Sequence, residues 1–530
     1  MERVVLYDTT LRDGTQQEGI SLSVEDKLRI TQQLDAFGIP YIEGGWPGSN
    51  PKDAEYFARV RHLPLSQATI VAFGSTRKAH TPVEQDTNIR ALLEAGTPVV
   101  TLVGKTWDLH VTHVLETSLE ENLAMLRESI AYLRGNGRRV FFDAEHFFDG
   151  WKANRAYALR CVQVAAEAGA EYVVLCDTNG GSLPHEVADI VQAVRKAVPV
   201  PLGVHTHNDG ELAVANALAG VLAGATQVQG TINGYGERCG NANLVSLIPA
   251  LQLKMGIRVV SEGALGQLTR LARWVSEVAN TPLNPSQPYV GSRAFVHKAG
   301  LHASAVVKVE ESYQHVPPEK VGNSKRIIVS ELAGRGNVLY KLQEVGLPVD
   351  AQDARRILEA VKEKEAKGFQ YEEAEASFEL LVRRGLPGYR SPFELVDFLV
   401  VVEKRRRTPE NGGDLLAEAT VKVRVNGEVL HTAAEGNGPV NALDNAIRKA
   451  LLAFYPQLQG VRLVDYKVRV VDQGSGTGAS VRVLMESTDG QRTWRTVGAS
   501  TNIIEASWLA LQDSLEWWIL HRGLAQTPSR

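Results

Sequence analysis

Two short phrases in the sequence hold side chains suited to chemistry on an oxygen-rich, anionic substrate. They are Asp8-Thr9-Thr10-Leu11-Arg12-Asp13-Gly14 and His205-Thr206-His207-Asn208-Asp209. The two histidines are separated by one residue, so on an extended strand both imidazoles point to the same side. With the Asp13 carboxylate and the amide oxygen of Asn241 they form a mixed nitrogen and oxygen set that lacks cysteine. Such a set favours Mn2+, Mg2+ or Zn2+ in an open, catalytic site over a structural zinc. Two free positions would let a 2-keto acid chelate through its carbonyl and one carboxylate oxygen, and the metal would polarise that carbonyl as a Lewis acid. Arg12, beside the Asp13 ligand, would stabilise a developing enolate or alkoxide. Glu145 would position or polarise an acid-base partner, and His302, in Gly300-Leu301-His302-Ala303, is a candidate base. Each has a plainer alternative. A His-x-His pair can be two core or surface histidines, Arg12 a salt-bridge arginine, and Glu145 and His302 structural residues.

These side chains need elements that bring them together. Eight β-rich runs alternate with amphipathic helical patterns: Val4–Asp8, Tyr41–Gly44, Thr69–Phe73, Val99–Val103, Val140–Ala144, Tyr172–Cys176, Leu202–His205 and Gln227–Thr231. In the first helical pattern, Ser23 reads as the N-cap. Leu28, Ile30, Leu34 and Phe37 follow at helical spacing, and Gly38 ends the run. Eight strand-helix units predict an α/β chain whose residues 1–275 close into a catalytic TIM (β/α)8 barrel. Sites in that fold lie at the C-terminal ends of the strands, and the polar residues fall there. Arg12 and Asp13 follow the first strand, Glu43 ends the second and Glu145 follows the fifth. Asp177, Thr178 and Asn179 follow the sixth, His205 and His207 the seventh, and Glu237, Arg238 and Asn241 the eighth. The alternative is an open doubly wound sheet, but no glycine-rich phosphate fingerprint follows the first strand.

Beyond the barrel, breakers at Thr281-Pro282-Leu283-Asn284-Pro285 and Gln287-Pro288 open a linker subdomain expected at 276–345. Residues 346–415 are expected as a helical subdomain, with charged helix across 348–405 and a linker at Glu410–Asp414. Residues 416–522 hold a weak duplication, two strand-strand-helix halves that predict a pseudo-symmetric α+β domain, followed by a tail at 523–530. Gln473-Gly474-Ser475-Gly476-Thr477-Gly478 reads as a tight turn.

The bulk numbers exclude several classes. A chain of 530 residues with 44% hydrophobic and 22% charged content is a multi-domain globular protein. Net charge is −4, and the longest cationic run, Lys404-Arg405-Arg406-Arg407, is too short for a nucleic-acid footprint. No apolar stretch reaches the roughly 20 residues that span a bilayer, and no secretory segment opens the chain. Three cysteines, Cys161, Cys176 and Cys239, make no disulfide framework, so a reducing cytoplasm is expected.

The phrases resemble the acyl-CoA condensing branch of the DRE-TIM metallolyases: the isopropylmalate, homocitrate and citramalate synthases. Arg12-Asp13 stands in a Thr-Leu-Arg-Asp-Gly motif, His205–Asp209 in His-x-His-Asn-Asp, and Gly234-Tyr235-Gly236-Glu237-Arg238-Cys239-Gly240-Asn241 in Gly-x-Gly-Glu-Arg-x-Gly-Asn. The resemblance continues through 296–335 and the duplicated domain. It implies that Asp13, His205, His207 and Asn241 hold a divalent metal and that Arg12 is catalytic. By the same resemblance, Thr178 contacts the keto-acid carboxylate, as Arg12 also would, and Glu145 is the fifth-strand glutamate. His302 and Tyr313 are implied as a catalytic pair that reaches the partner subunit's site in a homodimer. Gly44–Asp53 and Thr9–Gly19 resemble the longer citramalate synthases, while Thr15 and Thr206 depart from the family's common glutamate and small residue. The implied reaction is acyl transfer with conversion to alkyl: acetyl-CoA, pyruvate and water give (R)-citramalate and CoA, feeding isoleucine synthesis. The C-terminal domain resembles the LeuA-type allosteric and dimer domain, which implies an isoleucine effector. Neither a nucleic acid nor a membrane partner is implied. Alternatives are 2-isopropylmalate or homocitrate synthesis, a lyase or aldolase of the same superfamily, and a non-catalytic amino-acid sensor.

Overall fold

The structure is a computed structural model that describes residues 4–298, 302, 305–306, 309–327, 351–404, 415–471 and 473–523. The expected linker at 410–414, residues 328–350 and the tail from 524 lie outside the described residues. The chain divides into two compact units, Met1–Phe295 with His315–Lys325 and Val296–Gln314 with Arg326–Arg530.

The first unit is a closed parallel barrel of eight strands in chain order. They are β1 (Val5–Asp8), β2 (Tyr41–Gly45), β3 (Thr69–Ser75), β4 (Val99–Lys105), β5 (Arg139–Glu145), β6 (Tyr172–Asp177), β7 (Leu202–Thr206) and β8 (Gln227–Gly230). All eight runs expected from the sequence are strands. The barrel closes where β8 pairs with β1, from Val5 opposite Gln227 to Asp8 opposite Gly230. The crossovers are α1 (Val24–Phe37), α2 (Pro51–Val60), α3 (Thr87–Glu94), α4 (Asp108–His113), α5 (Leu119–Gly135), α6 (Phe147–Ala153), α7 (Arg155–Glu167), α8 (Pro184–Ala197) and α9 (Ala213–Leu222).

Strand alternation sorts the side chains into two cores. Outward residues such as Leu6, Ile42, Ala72, Val100, Phe142, Val173 and Val204 pack under the helices. Inward residues Tyr7, Val71, Val99 and Phe141, with Tyr41 and Tyr172 against them, form a separate cluster inside the barrel. That plug leaves the C-terminal ends of the strands for polar groups.

Helix α1 shows how local chemistry fixes a crossover. Ser23 and Asp26 form a reciprocal capping box at its start, and the helix ends at Gly38. Near that end, buried Asp35 accepts hydrogen bonds from the backbone N–H groups of Ser66, Gln67 and Ala68 at 2.8, 2.8 and 2.7 Å, and from the Ser66 hydroxyl at 2.9 Å. These bonds tie α1 to the entry of β3.

In the second unit, β9 (Val296–His297) pairs with β10 (Arg326–Ile327). Helices α10 (Ala351–Ala366) and α11 (Glu375–Gly385) follow. Two antiparallel sheets complete the unit: β11 (Glu394–Lys404), β12 (Leu415–Val425) and β13 (Glu428–Gly436), then β14 (Arg462–Val470), β15 (Val481–Thr488) and β16 (Thr493–Ser500). Helix α12 (Pro439–Leu451) packs on the first sheet and α13 (Ile503–His521) on the second. The expected charged helix across 348–405 is therefore corrected. Its last segment is strand β11, whose apolar and β-branched residues pair along β12 with an irregularity between Leu395 and Asp397. Each half of the duplication has three strands and a helix: the three runs expected in the second half are strands, and β11 adds a third to the two expected in the first. Gln473–Gly478, expected as a turn, is a short 3-10 segment. No helix among the described residues is long and apolar enough to cross a membrane.

The Asp35 latch generates a stability test. Burial alone would raise its carboxyl, but the backbone hydrogen bonds from Ser66, Ala68 and Gln67 outweigh that and hold it below its ordinary 3.8. Asp35→Ala leaves three amides without their acceptor and is expected to cost about 3 kcal/mol near pH 7. A depressed carboxyl stabilises fully above the unfolded value, and the effect is lost as pH falls through the lowered native one. The gap between parent and variant in urea unfolding should therefore close below about pH 4. A gap that persists unchanged at pH 2 would contradict the latch.

Candidate active site

The β1 exit turns tightly because Asp8 caps it. The buried Asp8 carboxyl accepts from the backbone and hydroxyl of Thr10 at 3.0 and 2.8 Å, and burial raises it to about 7 against the effect of those bonds. The Thr10 hydroxyl in turn accepts from the Ile232 amide at 2.9 Å, which ties this turn to the one after β8. Arg12 and Asp13 then point into the barrel mouth.

Arg12 is held on three sides. Its Nε donates to Glu43 Oε2 at 2.6 Å, its Nη1 lies 3.5 Å from Asp13 Oδ2, and its guanidinium sits 3.8 Å above the Phe73 ring. The other Glu43 oxygen accepts from the Tyr7 hydroxyl at 2.8 Å. Burial would lower the Arg12 pKa, but Glu43 and Asp13 outweigh it and raise it, so the guanidinium stays charged.

On β7, alternation separates the phrase as expected. Thr206 faces outward, its hydroxyl donating to Ala213 O at 2.8 Å at the start of α9, while His205 and His207 face the cavity. The departure at Thr206 is thus a helix anchor outside the cavity. His205 Nε2 lies 3.3 Å from Asp13 Oδ2 and 3.2 Å from His207 Nε2. Neighbouring ligands of a divalent ion bound at about 2.1 Å in octahedral geometry sit about 3.0 Å apart, close to these separations. Burial would raise the Asp13 carboxyl, but Arg12, then His205 and His207, hold it well below the usual range. Burial and the neighbouring His205 push His207 down to about 4, leaving it the neutral imidazole a metal needs.

Asn241 is the fourth donor that the sequence implies. It follows a loop in which Gly240 has φ +89° and Gly236 has φ +155°. A Cβ at either would lie 2.0 Å from Gly234 O or 2.1 Å from Asn241 Nδ2, so both must be glycine. The loop turns the Asn241 Nδ2 to donate to Tyr235 O at 3.1 Å and leaves Oδ1 buried without a hydrogen-bond partner. Asn241 is further bridged to His207 through the backbone. A buried acceptor without a donor is what a metal ligand leaves behind. The residues fit a divalent cation.

Around them is a cavity of about 550 Å3 lined by Arg12, Asp13, Glu145, Thr178, His205 and His207, among others. The Thr178 hydroxyl accepts from the His146 amide at 2.9 Å. Glu145 ion-pairs with Lys105 at the rim. Of the strand-exit residues, Asp177 instead caps the following turn, accepting from the Ser182 hydroxyl at 3.0 Å. His302 and Tyr313 belong to the second unit, where their rings stack with centroids 4.3 Å apart. Glu43, noted in the sequence only as a strand end, holds Arg12. Gln229 lies against His205 and Asp143 against Gln229, with Asp143 pushed up to about 7 by burial and by Glu43. A charged residue inside an otherwise apolar strand is the signal that could have found Glu43 and Asp143.

The profile of the HMGL-like family matches residues 3–275, more than half of the chain. The chain belongs to the HMGL-like family. A homocitrate synthase post-HMGL domain-like profile matches residues 289–368, and a LeuA allosteric (dimerisation) domain matches 372–518. Relatives similar over nearly the full length include (R)-citramalate synthases of Geobacter sulfurreducens, 54% identical over 98% of both chains, and Aquifex aeolicus, 51% identical over 98% of both. A probable 2-isopropylmalate synthase of Methanopyrus kandleri is 34% identical over 96% of both.

A metal test follows. The full-length chain should bind one Mn2+ in calorimetric titration, and His207→Ala should abolish that binding while leaving the melting temperature within a few degrees. Undiminished Mn2+ uptake by His207→Ala would remove it from the ligand set.

Proposed function

We propose that this chain condenses acetyl-CoA with pyruvate and water to give (R)-citramalate and CoA. The observation that carries this reading is the near full-length match, at about half identity, to (R)-citramalate synthases. The convergence of Arg12, Asp13, His205, His207 and Asn241 supports it chemically.

Asp13, His205, His207 and the Asn241 amide oxygen would hold a divalent ion, Mn2+, Mg2+ or Zn2+. When bound, that ion supplies Lewis-acid polarisation of the acceptor carbonyl. Arg12, locked against Glu43 and Phe73, donates hydrogen bonds to the oxygen that gains charge as the carbon-carbon bond forms. The Thr178 hydroxyl already accepts from an amide, so its proton is free for the acceptor carboxylate. Glu145 and Lys105 form a charged pair at the rim that can carry or orient a proton. We assign removal of the acetyl methyl proton to His302, with Tyr313 stacked on it, supplied by the partner subunit of a homodimer. Water then cleaves the thioester and CoA leaves.

CoA release should show a higher kcat/KM for pyruvate than for 3-methyl-2-oxobutanoate or 2-oxoglutarate. In the same assay Arg12→Lys, which keeps the charge but not the planar fork, should lower kcat by about 100-fold. His302→Ala should lower kcat without changing Mn2+ affinity. Preference for the branched keto acid would redirect the reading to isopropylmalate synthesis, and near-parent kcat in Arg12→Lys would end its assigned role.

The C-terminal domain, in this proposal, binds the end-product amino acid isoleucine and favours a less active state. The three free cysteines fit a reducing cytoplasm. Isoleucine should inhibit the full-length chain and lose its effect on a chain ending at Asp414, measured as citramalate formation. Equal inhibition of both would refute the assignment.

A further inference from the structure

We propose that Gln229 is a positioning residue that fixes which nitrogen of His205 faces the metal site, and that Asp143 in turn fixes the orientation of Gln229. The inference rests on the reading of Asp13, His205 and His207 as metal ligands.

A neutral imidazole has one nitrogen with a proton and one with a lone pair, and only the second can bind a metal. The partner of the far nitrogen decides which is which. In His205 the far nitrogen is Nδ1, 2.8 Å from Gln229 Oε1. A carbonyl oxygen only accepts, so Nδ1 must carry the proton. The lone pair is thereby left on Nε2, the atom 3.3 Å from Asp13 and 3.2 Å from His207.

This arrangement holds only while the Gln229 amide keeps its oxygen toward His205. Turned by 180°, it would present its NH2 group, and the imidazole would have to place its lone pair on Nδ1. The Asp143 carboxyl opposes the turn. Gln229 Nε2 donates to Asp143 Oδ1 at 3.0 Å and approaches Gln227 Oε1 at 3.4 Å. Both glutamines are fully buried and Asp143 nearly so, so no water competes for these bonds. Gln229 stands on β8 and Asp143 on β5, on different sides of the barrel interior. The chain from Asp143 through Gln229 to His205 spans the lumen just below the ligands. Among the polar groups in the lumen, these have no direct line to a substrate except at Asp143, which also borders the cavity. Their geometry is spent on the ligand.

The test is metal affinity, read without substrate. The metal-free full-length chain is titrated with MnCl2 by calorimetry. Gln229→Leu removes the acceptor and should weaken Mn2+ binding by about 10- to 100-fold, the usual cost of losing such a partner. Gln229→Asn keeps the amide but withdraws its oxygen by one methylene, and should weaken binding in the same direction if the leucine variant does not fold. The double variant Gln229→Glu with Asp143→Asn exchanges carboxylate and amide along the same line. An asparagine NH2 then donates to the new carboxylate, whose other oxygen accepts from Nδ1, so affinity should return close to that of the parent. A merely structural role would not produce that recovery. Folded Gln229→Leu or Gln229→Asn with parental affinity would overturn the proposal, as would a double variant no tighter than the single ones. If the parent itself bound no Mn2+, the metal reading would fall first and this inference with it.

Discussion

The barrel mouth is governed by a charge balance in a place water hardly reaches. Glu43, Asp13 and Asp143 bring three carboxyl groups into the interior, while Arg12 is the one guanidinium between them. Burial penalises each charge that lacks a partner. Arg12 settles the account for Glu43 and Asp13 by direct contact, and Asp143, lacking such a contact, is driven up to about 7. A divalent cation between Asp13 and the two imidazoles, as proposed, would add positive charge to this arrangement. In that proposal the buried, unpartnered Asn241 oxygen would be the fourth donor. Electrostatic satisfaction and Lewis-acid chemistry therefore make the same demand on these residues.

The rest of the barrel serves that balance. The aromatic plug of Tyr7, Tyr41, Phe141 and Tyr172 closes the lumen from below and keeps the dielectric low. Tyr7 belongs to both worlds, with its ring in the plug and its hydroxyl between Glu43 and Thr101. The loops around the cavity are pinned to one another. Thr10 bonds the turn after β8, and Arg238 grips Asp209 while donating to the Thr178 carbonyl at 2.7 Å. Such bonds position the site's groups with no substrate present, which is the condition for preorganised stabilisation of a developing oxyanion.

Much of this was legible in the sequence, for physical reasons. The barrel strands are short runs of β-branched and apolar residues separated by capped helices, so their periodicity changes sharply at each boundary. The grouping of Asp13, His205 and His207 could be anticipated because alternation places the two histidines on one side and because strand exits are where the fold displays function. Strand β11 was misread because Asp397 interrupts its alternation at a bulge, and because Glu394, Glu403 and Lys404 give it the charge of a surface helix. The support behind His205 was not legible at all. Gln229 and Asp143 are 86 residues apart, as Tyr7 and Thr101 are 94 apart, and no local pattern announces a bond across a barrel. A glutamine in a strand reads as solvent-facing until the closed sheet shows that it points inward.

Closure of β8 onto β1 also has a consequence for how the protein is made. Asp13 leaves the ribosome early, and Asn241 emerges more than 200 residues later. Until β8 has been synthesised and has found β1, the first strand has an open edge and the Arg12–Asp13 turn has no opposing loop. Long-range pairing of this kind is slow and leaves apolar edges exposed in the meantime. A nascent chain short of Gly230 can therefore hold seven strands and still possess no site. In the proposed site, metal binding would await the last strand and the Asn241 loop that follows it.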